Sequence, residues 1–478
     1  MSGLHTNFMS LVKPFSAFLK RLKQFTEHDL KNYALDANAN MLRRSLNHFV
    51  RSNDPENSAF NYRRSDKSAS YVNIYRHPDL MVVSELIENR FYFATVLPGK
   101  FVPKDASNIY FFNTDDDLVY DNFYNDFGPL SIACLYRYLY SHSFRYCRGV
   151  NKILRDFEGK LQQICHFSRA NPDKRANAAF LATSYSVLYL KQSPIEAFEL
   201  IAPKDAPPLK PFQDASIGSS CYNIKLIDCL KGLSKAASLG FVNLDDFDVS
   251  EYENYEQLRN GDLNWIVPQK FLAFLGPSTE RGSSSHYPEK YLNYFMKNEV
   301  AAVIRLNGRT YETFRFTNAG ILHYDMFFPD GSAPPKRILK QFLQVAESTR
   351  GAIAVHCKAG LGRTGTLIAA YIMKHYKMSA KEAIAWLRIC RPGSVIGYQQ
   401  TWLEEMEDSL WRDGRRFRLR HYGDENLILH HKHGIYSIEE KSDRKLRFRD
   451  YLSKRHFNRT ISGICILNYA HLTNTCEQ

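Results

Sequence analysis

The sequence predicts an α/β protein built from two tandem copies of one unit, joined by a linker helix and flanked by N- and C-terminal extensions. Three observations lead there. At 478 residues the chain is too long for one ordinary domain. From about Ser84 to Phe417, short apolar runs of strand type alternate with stretches of helical periodicity. Finally, Lys174-Arg-Ala-Asn-Ala-Ala-Phe-Leu-Ala-Thr-Ser-Tyr185 echoes Gly362-Arg-Thr-Gly-Thr-Leu-Ile-Ala-Ala-Tyr371, and Ser193-Pro-Ile-Glu-Ala-Phe198 echoes Ser379-Ala-Lys-Glu-Ala-Ile384 downstream. The plain alternative is that two Ala-rich amphipathic helices look alike. The expected divisions are an N-terminal extension (1–83), a first unit (84–245), a linker helix (246–262), a second unit (263–417) and a basic C-terminal tail (418–478).

Taken in order, Phe8, Leu11, Val12, Phe15, Phe18, Leu19, Leu22 and Phe25 recur at helical spacing with Lys13, Lys20, Arg21 and Lys23 between them. Pro14 interrupts this pattern, no cleavage site follows, and residue 2 is Ser, so neither a signal peptide nor myristoylation is expected. A helix docked on the protein, or a loosely ordered extension, is favoured over a membrane-surface helix. Residues 50–70 are polar and read as a linker. In the first unit, Phe91 to Val96 and Asn108 to Phe112 read as strands and Tyr222 to Ala237 as a helix. The stretch with Pro207, Pro208, Pro211 and Gly218 reads as irregular. Phe247 to Asp262, acidic and aromatic, reads as the connecting helix, closed by Asn260-Gly261. In the second unit, Trp265 to Val267, Phe271 to Phe274 and Val300 to Leu306 read as strands. Ile338, Leu339, Phe342, Leu343 and Val345 form one helix face.

The net charge of +13 lies largely in the two ends of the chain rather than along one helix or stripe, so nucleic acid and membrane are not expected partners. No apolar run approaches the length of a membrane span. Nine unevenly spaced cysteines do not make a disulfide framework, which points to the reducing cytosol or nucleus.

The chemistry centres on Ala352-Ile-Ala-Val-His-Cys-Lys-Ala-Gly-Leu-Gly-Arg-Thr-Gly-Thr366, a short strand that breaks into a Gly-rich loop and then a helix. A helix start of this kind is an anion site. Backbone N–H groups of Lys358, Ala359, Gly360, Leu361, Gly362 and Arg363 can converge on one phosphate, with the helix dipole behind them. The same field favours Cys357 as a thiolate nucleophile, and the Arg363 fork matches two phosphoryl oxygens. Of the nine cysteines, only Cys357 has an Arg six residues on and sits between a strand and a Gly-rich helix start. An acid is still needed for the leaving oxygen. Asp330, in Phe327-Phe-Pro-Asp-Gly-Ser-Ala-Pro334, lies in turn chemistry and is preferred to Asp325, with capping of the next helix as its plain alternative. Thr364 can donate to the departing sulfur, and Gln399 or Gln400 can orient water. In the first unit, the position matching Cys357 is Arg169, and Cys165 lies ten residues before Arg175, so that unit is expected to be inactive.

His356-Cys-Lys-Ala-Gly-Leu-Gly-Arg-Thr-Gly-Thr-Leu-Ile-Ala369, Phe327-Phe-Pro-Asp-Gly-Ser332, Ile389-Cys-Arg-Pro-Gly-Ser-Val-Ile-Gly397 and Asn260-Gly-Asp-Leu-Asn-Trp-Ile-Val-Pro268 together resemble the cell-division-cycle-fourteen family of dual-specificity phosphatases. The resemblance implies two phosphatase-like domains with only the second active, and no metal or organic cofactor. It implies phosphoprotein substrates carrying phosphoSer-Pro or phosphoThr-Pro, the marks of cyclin-dependent kinases, removed around mitotic exit. It also implies that Glu253, Glu256 and Asp262 receive a basic residue on the C-terminal side of the phosphoserine, although Arg259 can neutralise part of that groove. Nucleus, nucleolus, cytoplasm, and mitotic spindle or centrosome are the expected locations, and the oligomeric state is left open. The N-terminal extension, the extra sequence from Arg145 to Gly159, the short tail and Tyr398 depart from the family pattern. Two rivals stand beside this reading. A phosphoinositide phosphatase shares a Lys at position 358 but has a second Lys where Leu361 stands. A binding scaffold would not need Cys357, Arg363 and Asp330 together.

Overall fold

In a computed structural model of the protein, the described residues are 71–140, 150–156, 162–202, 206–218, 220, 222–279 and 286–444. The amphipathic pattern of Phe8 to Phe25, the linker 50–70 and the tail beyond Arg444 lie outside them. Among the described residues no helix is long and apolar enough to cross a membrane.

The first unit contains strands β1 (Leu80–Ile87), β2 (Phe91–Val96), β3 (Ile109–Phe112) and β4 (Gln163–Ser168), with helices α1 (Ile132–Tyr140), α2 (Val150–Asp156), α3 (Pro172–Leu188) and α4 (Pro194–Ile201). Phe212–Gln213 and Asn223–Ile224 (β5 and β6) pair as a small ribbon before α5 (Leu226–Ser238). That pairing is why the helix expected from Tyr222 begins four residues later. The unit also begins earlier than position 84, because Leu80 and Val82 already pair with β2.

The second unit contains β7 (Leu263–Val267), β8 (Phe271–Phe274), α7 (Glu289–Lys297), β9 (Val300–Arg305), α8 (Phe314–Thr317), β10 (Leu322–Asp325), α9 (Lys336–Ser348), β11 (Ala352–His356), α10 (Gly362–Tyr376), α11 (Ala380–Cys390) and α12 (Tyr398–Tyr422). Its sheet runs β7-β8-β11-β9-β10, and the first runs β1-β2-β4-β3. In both, the outer pair is antiparallel and the following pairs are parallel. The sequence echo is therefore a repeat of topology, with β10 added at one edge. Local chemistry repeats too: Ser193 with Glu196 and Ser379 with Glu382 form reciprocal capping boxes that start α4 and α11.

The two units share one core, which contains Phe180, Leu230 and Leu233 of the first and Trp386, Ile384 and Leu367 of the second. A Cβ on Gly232 of α5 would lie 2.6 Å from the Glu382 carbonyl oxygen, so glycine there lets α5 and α11 touch backbone to backbone.

The linker is shorter than expected. Helix α6 spans Val249–Glu256, the backbone becomes extended at Gln257, and a 3-10 turn follows at Leu258–Asn260. Asn260 donates its side-chain amide to the Asn254 carbonyl, closing the helix end before Gly261 and Asp262 take positive φ. The C-terminal boundary also moves, because α12 runs five residues past Phe417 and the polypeptide then returns as an ordered strap. In this strap the His431 and Ile435 amides donate to Leu239 and Phe241, and the Asp248 amide donates to Tyr436. Asp246 accepts the Ile438 and Glu439 amides, and Lys441 pairs with Asp248 and Glu251 at the start of α6.

Candidate active site

Strand β11 is buried along its whole length and delivers Cys357 at its carboxyl end, 2% exposed. Residues 357–361 form the loop and α10 begins at Gly362. Gly360 has φ +70°, and a Cβ there would lie 2.1 Å from the Phe274 carbonyl oxygen, so only glycine fits. Among the described residues, no backbone carbonyl is paired with an amide of Ala359 to Arg363. That is the arrangement an anion-binding helix start requires.

Behind the loop, the Arg391 guanidinium donates to the carbonyls of Gly360 and Ala359 and to Asp262 Oδ1 (2.8 Å) and Asn264 Oδ1 (2.7 Å). Sequence reasoning missed Arg391. The only signal was its place in the Ile389-Cys-Arg-Pro run, where an arginine reads as ordinary surface charge. His356 lies beneath Cys357: its Nδ1 is 2.9 Å from the Cys357 carbonyl and its Nε2 is 2.7 Å from the Tyr311 hydroxyl, which in turn meets His323 Nε2 at 2.9 Å. Burial pushes His356 down to about 3 and His323 to about 4. Both rings are therefore neutral at pH 7, so Nδ1–H of His356 donates to the loop and Nε2 accepts from Tyr311.

Arg363 is buried, donates to the Phe328 carbonyl at 3.0 Å, and lies with Nε 3.2 Å from Asp330 Oδ1. Asp330 has 68% of its side chain exposed on the loop after β10 and accepts the Gly331 amide. It does not cap α9, whose first turn receives no hydrogen bond from a capping residue. Asp325 is held by both Nε (2.6 Å) and Nη2 (3.0 Å) of buried Arg305, an ion pair that removes it from contention. Thr364 Oγ1 is buried with no partner among the described residues.

The two glutamines separate. Gln399 lies against Gly362, where a Cβ would approach its Oε1 to 2.9 Å, and donates to Ser332 in the Asp330 loop. Gln400 instead accepts from buried Arg388 and donates to the Gly397 carbonyl, a wall position.

The acidic set is not gathered as expected. Asp262 is 5% exposed in its side chain and ion-paired to Arg391, so it is a loop anchor rather than a receiver of substrate charge. Glu253 is gripped by both Nε and Nη2 of Arg137 on α1. Glu256 accepts from Tyr252 at 3.1 Å. Arg259 turns to Gln257.

The matching loop of the first unit has lost its anion site. Asn171 caps α3 and accepts the Asp173 and Lys174 amides, Pro172 has no N–H, and the Arg169 amide donates to Asp115. The Arg169 side chain pairs with Asp116. Arg175, the echo of Arg363, donates to Thr95 and to the Pro207 carbonyl. Cys165 lies inside β4, where burial pushes its thiol far up.

Residues 85–236 match the family description "Dual specificity protein phosphatase, N-terminal half", and residues 323–409 match "Dual specificity phosphatase, catalytic domain". The chain is 50% identical over 344 residues to the dual specificity protein phosphatase CDC14A of Homo sapiens, covering 71% of this chain and 56% of that protein. It is 49% identical over 328 residues to CDC14C of Homo sapiens, covering 68% of this chain and 71% of that protein. The tyrosine-protein phosphatase CDC14 homolog of Schizosaccharomyces pombe is 38% identical over 344 residues, covering 69% of this chain and 62% of that protein. The chain thus spans 56% of the length of CDC14A. With identity of about one residue in two, sustained across most of CDC14C and through both units, this protein belongs to the CDC14 family of dual specificity phosphatases.

Proposed function

We propose that the chain is a protein phosphatase that hydrolyses phosphoserine or phosphothreonine followed by proline, and phosphotyrosine, through a cysteinyl-phosphate intermediate. The observation that carries this reading is Cys357 at the end of β11, facing the loop amides from Ala359 to Arg363, with Arg363 six residues on and Asp330 beside it. The Cys357 thiolate attacks phosphorus while the loop amides and Arg363 take up the charge on the equatorial oxygens. The bond to the leaving oxygen breaks, and Asp330 gives that oxygen its proton. Water then attacks the phosphocysteine and passes a proton to the Asp330 carboxylate, Gln399 orients the water, and Thr364 donates to the departing sulfur. Lys358, exposed at the loop mouth, adds charge there.

Proline after the phosphoresidue is supported by an apolar cluster beside the loop, formed by Leu361 and Leu275 with Phe123 and Ala215 of the first unit and flanked by Tyr124, Leu258 and Ile396. The inactive unit contributes a wall of the cleft in this reading. A basic residue further along the substrate would meet Glu253 and Glu256, in competition with Arg137. Removal of cyclin-dependent-kinase marks at mitotic exit, in the nucleus or on the spindle, is the cellular role we assign.

The test is turnover of an aryl phosphate and of a phosphoSer-Pro peptide. Cys357→Ser should abolish both while keeping peptide binding, and acid quenching of the parent should trap phosphate on Cys357. Comparable turnover in variant and parent would sink the assignment. Equal rates on the Pro peptide and its Ala variant would remove the proline preference alone.

A further inference from the structure

Gln399 follows a strained stretch of backbone. Residues 391–397 connect α11 to α12, and within them Val395 takes a φ of +60°, a left-handed conformation that a β-branched residue avoids. Strain of this kind persists only where the surroundings over-determine it. Two holds come from the catalytic unit itself. Buried Arg388 donates from Nε to the Ser394 carbonyl and from Nη2 to the Val395 carbonyl, both at 3.0 Å. The Leu361 carbonyl of the catalytic loop accepts the Val395 amide at 3.4 Å.

A third hold comes from the other unit. Asp214, directly after β5 and 2% exposed, accepts the Gly397 amide on Oδ2 at 2.6 Å. The Ser216 hydroxyl donates to the same oxygen and so restrains the carboxylate. An amide bonded to a carboxylate makes a charge-assisted hydrogen bond, shorter and stronger than the neutral one between Val395 and Leu361.

Gly397 joins this hold to the chemistry. Helix α12 starts from it without a side-chain cap, and its carbonyl accepts both the backbone amide and the side-chain amide of Gln400. Gln399, 1% exposed, accepts the Ile396 amide on Oε1 at 3.2 Å and donates through Nε2 to the Ser332 carbonyl at 3.1 Å. One lone pair and one N–H of its amide remain for a water molecule. The direction of that amide is set on one side by the Asp330 loop and on the other by the stretch that Asp214 pins. Ile396 also packs on the apolar cluster that contains Ala215, the neighbour of Asp214.

We propose that Asp214 is a positioning residue through which the inactive unit sets the second half of the reaction. The inference rests on the phosphatase reading and deepens it. In that half, water forms its bond to phosphorus as the phosphorus–sulfur bond breaks, the sulfur leaves as a thiolate, and the Asp330 carboxylate takes the water proton. Asp214 touches none of these atoms and acts through Gly397 and Gln399. The first half, attack by Cys357, relies on the loop amides, Arg363 and Asp330 instead.

Rapid-quench and burst kinetics of the two-unit chain with an activated aryl phosphate separate the halves. Asp214→Ala should leave phosphocysteine formation within about twofold of the parent and slow its breakdown about tenfold or more. At steady state kcat and KM should fall together while kcat/KM holds, because kcat/KM reports the first half alone. Asp214→Asn, which keeps an oxygen for the Gly397 amide, should restore breakdown to within about threefold of the parent. In a Gln399→Ala background the loss from Asp214→Ala should shrink below about threefold, since the two residues act as one unit. If Asp214→Ala does not fold, Ser216→Ala, which leaves the carboxylate but frees it to turn, should slow breakdown about threefold or more with formation unchanged, and a parental rate there overturns the proposal. Parental breakdown in a folded Asp214→Ala, formation and breakdown slowed by equal factors, an asparagine variant as slow as the alanine one, or the full loss retained without Gln399 would each overturn it as well. Failure of the phosphatase reading would appear separately, as no phosphocysteine and no turnover in the parent.

Discussion

Replacing Arg391 by Met tests whether one buried guanidinium holds the catalytic loop in shape. Arg391 is 1% exposed and makes five donations, to Gly360 O, Ala359 O, Asp262 O, Asp262 Oδ1 and Asn264 Oδ1. Methionine fills a similar volume and donates nothing, so the Asp262 carboxylate is left buried without its partner. Breaking a buried pair in this way costs about 3 to 5 kcal/mol of unfolding free energy. Asp262→Asn removes the orphaned charge, and asparagine tolerates the φ of +46° found there. The double variant should therefore recover about 1 to 3 kcal/mol relative to the sum of the singles, a coupling read from denaturant unfolding. The loop carbonyls are still untethered in the double variant. Vanadate affinity should consequently remain at least tenfold below the parent, about 1.4 kcal/mol, even where stability returns. Additive stabilities with no coupling, or Arg391→Met with parental vanadate affinity, would refute the tether.

Asp330→Ala should slow hydrolysis of a phosphoserine peptide by about 100-fold or more and of an activated aryl phosphate far less, because only the poor leaving group needs the proton; equal losses on both would reject Asp330 as the acid. Arg137→Ala should strengthen the preference for a phosphopeptide bearing a basic residue, since Glu253 loses its internal partner; an unchanged kcat/KM ratio against the Ala peptide would show that Glu253 does not face substrate. Cys165→Ala in the two-unit chain should leave turnover unchanged, and its loss would revive catalysis in the first unit. Burial pushes His166 to about 3 and His431 to about 4 in the folded state, below the ordinary value near 6.5. The unfolded state therefore takes up protons first as pH falls, so stability is full above about pH 6.5 and declines toward pH 4, by up to about 1.4 kcal/mol per pH unit for each ring. His431→Gln should flatten that decline in urea unfolding, and an identical slope would exclude His431 as a contributor.

The legible parts of this molecule were those written in local chemistry. Cys357, its glycines and Arg363 lie on one loop and the helix start that follows it, Asp330 sits in turn residues, and the repeated Ser and Glu of the two capping boxes are three positions apart. The unread parts depend on partners far away in sequence. Asp262 and Glu253 looked like free acids because Arg391 and Arg137 lie 129 and 116 residues away. Gln399 and Gln400 are adjacent and chemically alike, and only Arg388 one helix earlier tells them apart. The linker pattern suggested one helix, because composition does not reveal that Asn260 folds back onto Asn254. The residues after Phe417 read as a basic tail for a related reason: the apolar anchors Ile435 and Tyr436 are too few to form a periodic pattern.

The strap has a consequence for how the protein is made. Asp246 waits for Ser437, 191 residues further on, and Phe247 waits for the same residue as its bridge partner. At a translation rate of about 5 to 20 residues per second, the start of the linker helix spends roughly 10 to 40 s on the ribosome before its partners emerge. During that interval Asp246 and Asp248 lack the strap groups that pair with them, and Phe247 has only Tyr136 and Tyr252 against its ring. The two repeats pack on one another through α5 and α11 before the strap emerges, and the strap closes last over the linker. Truncating after Tyr422 would leave a nascent-like intermediate, in which Phe241 loses His431 and Phe247 loses Tyr436 from its packing.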